Sequence, residues 1–447
     1  MNQTTTLETL YEALENQSLA EINARVAELH PAEIANFLES LPPKQRNQLW
    51  QQPGIEQGAI LPYVSEAVRI ELMEDMPPLE VATAAENMDV DDAVDLLQDL
   101  PDELVEEVLQ AMDVQYRRRL TAVLFYPENS AGGLMNTDVL AIRTEMTLKM
   151  VLRYLRRLNK LPEKTDALMV VDCNNYYRGV LWITDLLTHS PRLLVEQIVS
   201  TNIEAIPAQL PTHEVARLFE QRDLLSAPVI DEQGILVGRI TIDDVVDVIR
   251  AEADHNLMVP AGLDKDDDMF APVLATLRYR SVWLGINLGT AFLAAWVIGL
   301  FAATLEKIVA LAVLMPIVAS MGGIAGSQTL MVVIRGIALG KVTTTNAPWL
   351  LKKELAVSIL NGIMWAIAIA LVAIIWFSNI KLGLIIGIAI IVNLFCAALV
   401  GSLLPLILQR LAIDPALAGG VILTTVTDVV GFATFLGLAT LFLLNTS

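Results

Sequence analysis

From about residue 280 onward the chain is almost continuously apolar. Five stretches, at roughly 281–304, 308–335, 354–378, 382–409 and 415–443, each supply the ~20 apolar residues that a bilayer-crossing helix needs. Before that point the pattern is different. Residues 1–130 read as short helices, with apolar positions at helical spacing and prolines between them. Glu33 to Leu41 resembles Glu80 to Met88, and Asp92 to Leu100 repeats the pattern, with Leu41 and Leu100 each followed by proline. Residues 135–255 hold a second repeat. Met135 to Ile142 aligns with Val199 to Ile206, Gly179 to Leu186 with Gly238 to Val245, and Val170-Val171-Asp172 with Val229-Ile230-Asp231. The predicted order is strand, helix, strand, strand, helix, twice over.

The expected architecture is therefore multidomain. It comprises an α-helical superhelical N-terminal domain (1–130), an α/β pair (131–258), a connecting helix (259–279, helical over Met269 to Tyr279) and an all-α five-helix transmembrane domain (280–447).

Charge follows the same division. The first 274 residues carry a net −26 and the remainder +5, for −21 over the chain. A field this negative repels phosphate backbones, so no nucleic-acid partner is expected. The N-terminus lacks a basic start followed by an apolar core, so the acidic part is expected in the cytosol. Arg278, Arg280, Arg335, Lys341, Lys352, Lys353 and Arg410 then lie inside, and only Lys307 and Lys381 outside. That bias predicts a multi-pass protein of the cell (inner or plasma) membrane, N-terminus cytosolic and C-terminus outside. Cys173 and Cys396 fall in different halves, which argues against a disulfide framework or thiolate metal site. No phosphate-gripping Gly-x-x-x-x-Gly-Lys-Ser/Thr loop occurs, and no enzymatic activity is expected.

Within the apolar stretches one residue stands apart. Asp428 is an acid in the central part of the fifth, where a carboxylate costs about 2.5–3.5 kcal/mol on insertion scales. Gly420, Thr424 and Asp428 recur every four residues and share a helix face. Carboxylate, hydroxyl and exposed backbone are the oxygen ligands a hard cation takes, and Mg²⁺ commonly keeps its waters while held by one or two carboxylates. A protonated Asp428 bonded to a neighbouring helix is the alternative. The second stretch carries Pro316 and then Gly322, Gly323 and Gly326, which suits either irregular backbone lining a cavity or close helix packing.

In the soluble half Asp91 and Asp95, four apart, share a helix face. A second acidic surface holds Asp243, Asp244, Asp247, Glu252 and Asp254, and a third Asp264 and Asp266–Asp268. Such surfaces repel unless a cation neutralises them.

The α/β repeat resembles a tandem pair of cystathionine-β-synthase (CBS) domains. That resemblance implies adenosine-nucleotide contacts at Gly238, Thr241 and Asp244; Trp182 replaces the hydroxyl in the first copy. A structural pair without nucleotide is the other reading.

The whole chain, through Pro316 to Gln328, Asp414-Pro415-Ala416 and Thr424 to Gly431, resembles the MgtE-type magnesium channel family. The resemblance implies a homodimer with its pore between subunits, lined by the second and fifth spans, and Asp428 from each subunit binding hydrated Mg²⁺. Thr424 and backbone near Gly420 would lie along the path. It further implies an Mg²⁺ sensor in which ions bridge Asp91, Asp95 and Asp247 to close the pore when internal Mg²⁺ is plentiful, with ATP at the CBS pair as a modulator. Two departures stand out. Ile324 and Ser327 occupy positions where many members have asparagine, and His255-Asn256 replaces a common Glu-Asp pair, with Asp254 and Asp266–Asp268 at hand to substitute. Another-divalent channel or proton-coupled carrier (Mn²⁺, Co²⁺) and a non-transporting membrane-anchored Mg²⁺/nucleotide sensor are the alternatives.

Overall fold

The computed structural model describes residue 26 and residues 29–444, apart from 53, 75, 159, 163, 264–267, 344 and 412. Two compact units emerge. One holds everything up to Asp254 together with 268–272; the other holds 255–263 and everything from Val273 on.

Among the described residues the first unit holds eight short α-helices before its sheets: α1 (Pro31–Glu39), α2 (Pro43–Trp50), α3 (Gln57–Ile60), α4 (Glu66–Glu74), α5 (Pro78–Glu86), α6 (Val90–Gln98), α7 (Asp102–Ala111) and α8 (Val114–Leu124). Proline fills the first position of α1, α2 and α5, where its missing N–H costs nothing and its fixed φ is already helical. Each helix buries one apolar side, such as Val94 and Leu97 of α6.

The repeat follows as β1 (Ala141–Arg143), α9 (Leu148–Leu158), β2 (Ala167–Val171), β3 (Tyr177–Trp182) and α10 (Ile183–Thr188). Its second copy is β4 (Ile206–Pro207), α11 (Thr212–Arg222), β5 (Ser226–Ile230), β6 (Leu236–Thr241) and α12 (Ile242–Met258). Each copy is a three-stranded sheet whose first pair is parallel and second antiparallel. The likeness extends to irregularities. Register slips at Val170/Val171 and again at Val229/Ile230. Asp172 and Asp231 then each accept two backbone N–H groups to close the turn.

The first copy keeps a core of its own around Ile142, Leu168 and Leu181. The second shares one continuous core with the helical stack, in which Phe219, Val229 and Ile240 join Leu38, Leu61 and Leu97. Helical domain and second copy are thus welded together, across the boundary expected at residue 130.

In the second unit lie α13 (Val273–Gly299), the short α14 (Ala302–Lys307), α15 (Val309–Ala338), α16 (Ala347–Phe377), α17 (Ile380–Arg410) and α18 (Pro415–Ala439). Five of these are long and apolar enough to cross a membrane. Large apolar side chains such as Leu284, Phe292 and Trp376 stand exposed along them, as hydrocarbon solvent allows. Among the described residues no separate connecting helix appears over 259–279. A single turn at Val259–Ala261 ends at Gly262 (φ 74), and the next helix starts at Val273, just after Pro272, and runs unbroken into the first span. Two prolines and a left-handed glycine interrupt the pattern where continuity was expected.

Candidate functional site

Asp414 caps α18, accepting the Ala416 N–H at 2.8 Å, with Pro415 at the first helical position. One face of α18, through Gly419, Leu423, Thr427 and Gly431, is buried. Leu330 of α15 sits over Gly419, and Leu423 sits over Gly326 of α15. The neighbouring row is Gly420, Thr424 and Asp428, as the sequence spacing implies. Thr424 is exposed, Asp428 is half-buried, and nothing approaches the Cα of Gly420 from the side-chain direction. The Thr424 hydroxyl donates to the Gly420 carbonyl at 2.6 Å. Among the described residues no cation or hydrogen-bond donor meets the Asp428 carboxylate. The strip therefore lies open on the edge of the helix packing, with its one charge unmatched.

The glycine-rich stretch of the second span is continuous helix, which decides between the two readings in favour of packing. Gly326 backs onto α17 as well, its carbonyl 2.9 Å from where a methyl on Gly401 would stand.

In the first unit α6 brings its acids against the start of α12. Carboxylate oxygens of Asp89, Asp91 and Asp92 lie within 4.8 Å of one another. The Asn136 amide donates to Asp91 at 3.1 Å. Burial pushes Asp91 well above the ordinary carboxylate range, and the charges of Asp244, Asp92 and Asp89 add to it. Burial, then Asp244 and Asp89, raise Asp92 to about 7. Asp95 is open to solvent along one edge, yet the protein crowding it lifts it to about 7 against the pull of Arg69. Asp244 rises to about 6 through burial and the charge of Asp243. Burial alone would raise Asp243 too, but the ion pair with Lys164 and the bond from Thr241 outweigh it and hold it below its ordinary value. Carboxylates that resist ionisation when crowded are carboxylates a divalent cation would relieve.

Of the predicted sensor residues, Asp91 and Asp95 both feel the charge of Asp244, which for Asp95 acts after burial, Arg69, Asp99 and Glu128. Asp247 follows one turn along α12, raised by burial with Arg250 opposing. Asp254 lies farther along α12, exposed. Asp264, Asp266 and Asp267 lie outside the described residues; Asp268 is held 2.9 Å from Arg46. Asp89, Asp92, Asn136 and Lys164 were not singled out in the sequence, although the density of acids at 89, 91, 92 and 95 was a usable signal.

The predicted nucleotide trio is occupied differently. The side chain of Met135 and the Asn136 carbonyl cover Gly238. Thr241 donates its N–H to Asp244 at 3.2 Å, and its hydroxyl, between Asp243 and Asp244, is turned toward the acids. A cavity of about 610 Å³ opens elsewhere in the pair, lined by Tyr177, Thr201, Ile203, Glu204, Arg222 and Leu224 among others. Arg222 and Glu204 pair at 3.0 Å beside it.

Comparison with known proteins agrees with this division of the chain. Residues 315–438 match the MgtE family model, described as divalent cation transporter, residues 29–129 the MgtE intracellular N domain, and residues 131–191 and 195–251 the CBS domain. The magnesium transporter MgtE of Thermus thermophilus is 30% identical over 442 residues, 97% of this chain and 98% of that protein. Its counterpart from Bacillus subtilis is 29% identical over 433 residues, 96% of each chain. Among solved structures, the cytosolic domain of the Mg²⁺ channel MgtE in complex with ATP superposes with a TM-score of 0.50 at 30% identity, covering 54% of this chain and 99% of that one.

Proposed function

The chain belongs to the MgtE family of divalent cation transporters, and from that premise we propose that it is a Mg²⁺ channel closed by the ion it conducts. The observation that carries the reading is Asp428: a carboxylate in the middle of a spanning helix, half-open, with no partner among the described residues. A charge so placed needs a cation, and a hydrated divalent ion on the path supplies one. An open strip of Gly420, Thr424 and Asp428 suits a path completed by a second copy, so the working unit is a homodimer. A potential negative inside drives ions inward; at 100 mV a divalent gains about 2.3 kcal/mol per charge.

Closure uses the acids of the first unit. When cytosolic Mg²⁺ is high, ions bind among Asp89, Asp91, Asp92, Asp95, Asp244 and Asp247 and lock the helical stack against α12. When it is low, unscreened repulsion loosens that packing and the pore opens. One ion acting at two sites makes this negative feedback a linkage effect. An adenosine nucleotide in the Tyr177 cavity would modulate it, in line with the ATP held by the related cytosolic domain. No reaction is catalysed.

The test is Mg²⁺ influx into proteoliposomes under an imposed potential, with no pH gradient. Wild type is expected to conduct and Asp428→Asn to fall to the protein-free background. Equal flux from both would remove Asp428 from the path. A wild type that conducts only with a pH gradient would mean a proton-coupled carrier, and one that never conducts would mean a sensor.

A further inference from the structure

We infer that Asn393, in the middle of the fourth span, is a positioning residue that sets the separation of the two helices proposed to line the pore. The residue is fully buried. Its Nδ2 donates to the Val318 carbonyl of α15 at 2.9 Å. Two glycines make room for it, one from each pore helix. A methyl on Gly431 of α18 would lie 2.8 Å from Nδ2, and one on Gly322 of α15 would fall inside the amide. Gly431 is three residues beyond Asp428, and Gly322 opens the Gly-Gly stretch. One side chain thus touches the backbones of both helices at the level of the charged residue.

Stability alone does not account for an asparagine here. Its Oδ1 is buried without a hydrogen-bond partner among the described residues. A half-satisfied amide is a cost that leucine, branched at the same carbon with the same number of heavy atoms, would not carry. The pair of glycines adds a second cost, since glycine in a helix interior weakens it relative to alanine. Three residues that each work against helix stability meet at one point, and what they achieve is a close three-helix junction pinned by a directional bond. Mg²⁺ keeps a tight octahedral shell, whereas Ca²⁺ tolerates looser and larger ones, so the gap in which Asp428 stands decides which divalents pass. This role rests on Asp428 lying in the ion path.

The experiment uses full-length protein in proteoliposomes and detergent, with two readouts: the ratio of initial Mg²⁺ to Ca²⁺ influx, and the thermal unfolding midpoint. Asn393→Leu is expected to unfold no earlier than wild type while its Mg²⁺/Ca²⁺ ratio falls about tenfold or more, the size of effect a misplaced group produces. Gly322→Ala is expected to lower the midpoint in the wild-type background but much less beside Asn393→Ala, because the new methyl then occupies the space the amide leaves. An unchanged influx ratio in Asn393→Leu overturns the inference. So does a Gly322→Ala penalty that is the same in both backgrounds, a result independent of any flux. Asp428→Asn run alongside reports separately on the path itself, so failure of that reading is told apart from failure of this one.

Discussion

His255 places Nε2 2.7 Å from Oδ2 of Asp414, and both residues belong to the unit that holds the spanning helices. A carboxylate can only accept, so the imidazole donates. The other oxygen of Asp414 caps α18, the helix that carries Asp428. The tie between α12 and the cap of α18 is therefore made without an ion. His255→Glu would set two carboxylates face to face. The midpoint of Mg²⁺ inhibition of influx is expected to rise by about threefold or more, the equivalent of roughly 0.7 kcal/mol of lost contact. His255→Gln, which keeps a donor, is expected to stay near wild type. A His255→Glu midpoint at the wild-type value would show that the tie has no part in closure.

The acidic cluster makes a prediction about pH. Asp92 and Asp95 rise from an ordinary 3.8 to about 7, Asp244 to about 6, and burial with the neighbouring acids raises Asp91 well above its ordinary value. Folded-state values above the unfolded ones mean the packed cluster binds protons that the unfolded chain does not. Its contribution is complete below about pH 4 and is lost as pH rises through 6 to 7. Without Mg²⁺, the unfolding midpoint of the first unit should therefore fall between pH 5.5 and 8. Mg²⁺ should restore it strongly at pH 8 and scarcely at pH 5.5, where protons already neutralise the site. A Mg²⁺ effect of equal size at both values would mean that these carboxylates are not where the ion acts.

Much of this was legible in the sequence because it depends on period and charge. Runs of about 20 apolar residues give spans whatever surrounds them, and the strip at Gly420, Thr424 and Asp428 needs only the helical repeat. What escaped depends on contacts between distant segments. Nothing local marks Asn136, which reaches Asp91 across 45 positions, or Asn393, whose partner Val318 is 75 away. The Gly238, Thr241, Asp244 pattern suggests nucleotide contacts by its resemblance to CBS domains, and only the packing of Met135 over Gly238 and the nearness of Asp91 to Asp244 turn the trio toward the acids. Continuity of α13 across Arg278 and Arg280 was likewise hidden, since two charges at a membrane edge resemble a boundary yet leave a helix intact.

The two places where a nucleotide could sit in the CBS pair are separable. The cavity beside Tyr177 has apolar walls from Ile203, Leu218 and Leu224 and one cation, Arg222, at its rim. If ATP binds there, Ile203→Trp should push an indole into the cavity and weaken binding measured by calorimetry at least tenfold, while Thr241→Ala should leave affinity within about twofold, or roughly 0.4 kcal/mol. Loss of binding in Thr241→Ala with Ile203→Trp unaffected would return the nucleotide to the motif at the acidic cluster.

Arg46 shows why one acid of the linker run is not available as a sensor. Its guanidinium is fully buried and donates to the Leu38 and Leu41 carbonyls, each at 3.1 Å, to Glu71, and to Asp268 at 2.9 Å. A buried cation so completely satisfied is expensive to disturb from either side. Arg46→Met would strand Glu71 and Asp268 near a desolvated surface and leave two carbonyls without their donor, for an expected loss of about 3–5 kcal/mol. Asp268→Asn keeps an acceptor facing the guanidinium, and Glu71 still balances the charge, so its cost should be only about 1–2 kcal/mol. Denaturant unfolding of the full chain, followed on the transition of the first unit, separates the two. Because Asp268 is already matched by Arg46, the Mg²⁺ midpoint of Asp268→Asn should coincide with that of wild type. A shift as large as that of Asp91→Asn would show instead that Asp268 binds the sensed ion.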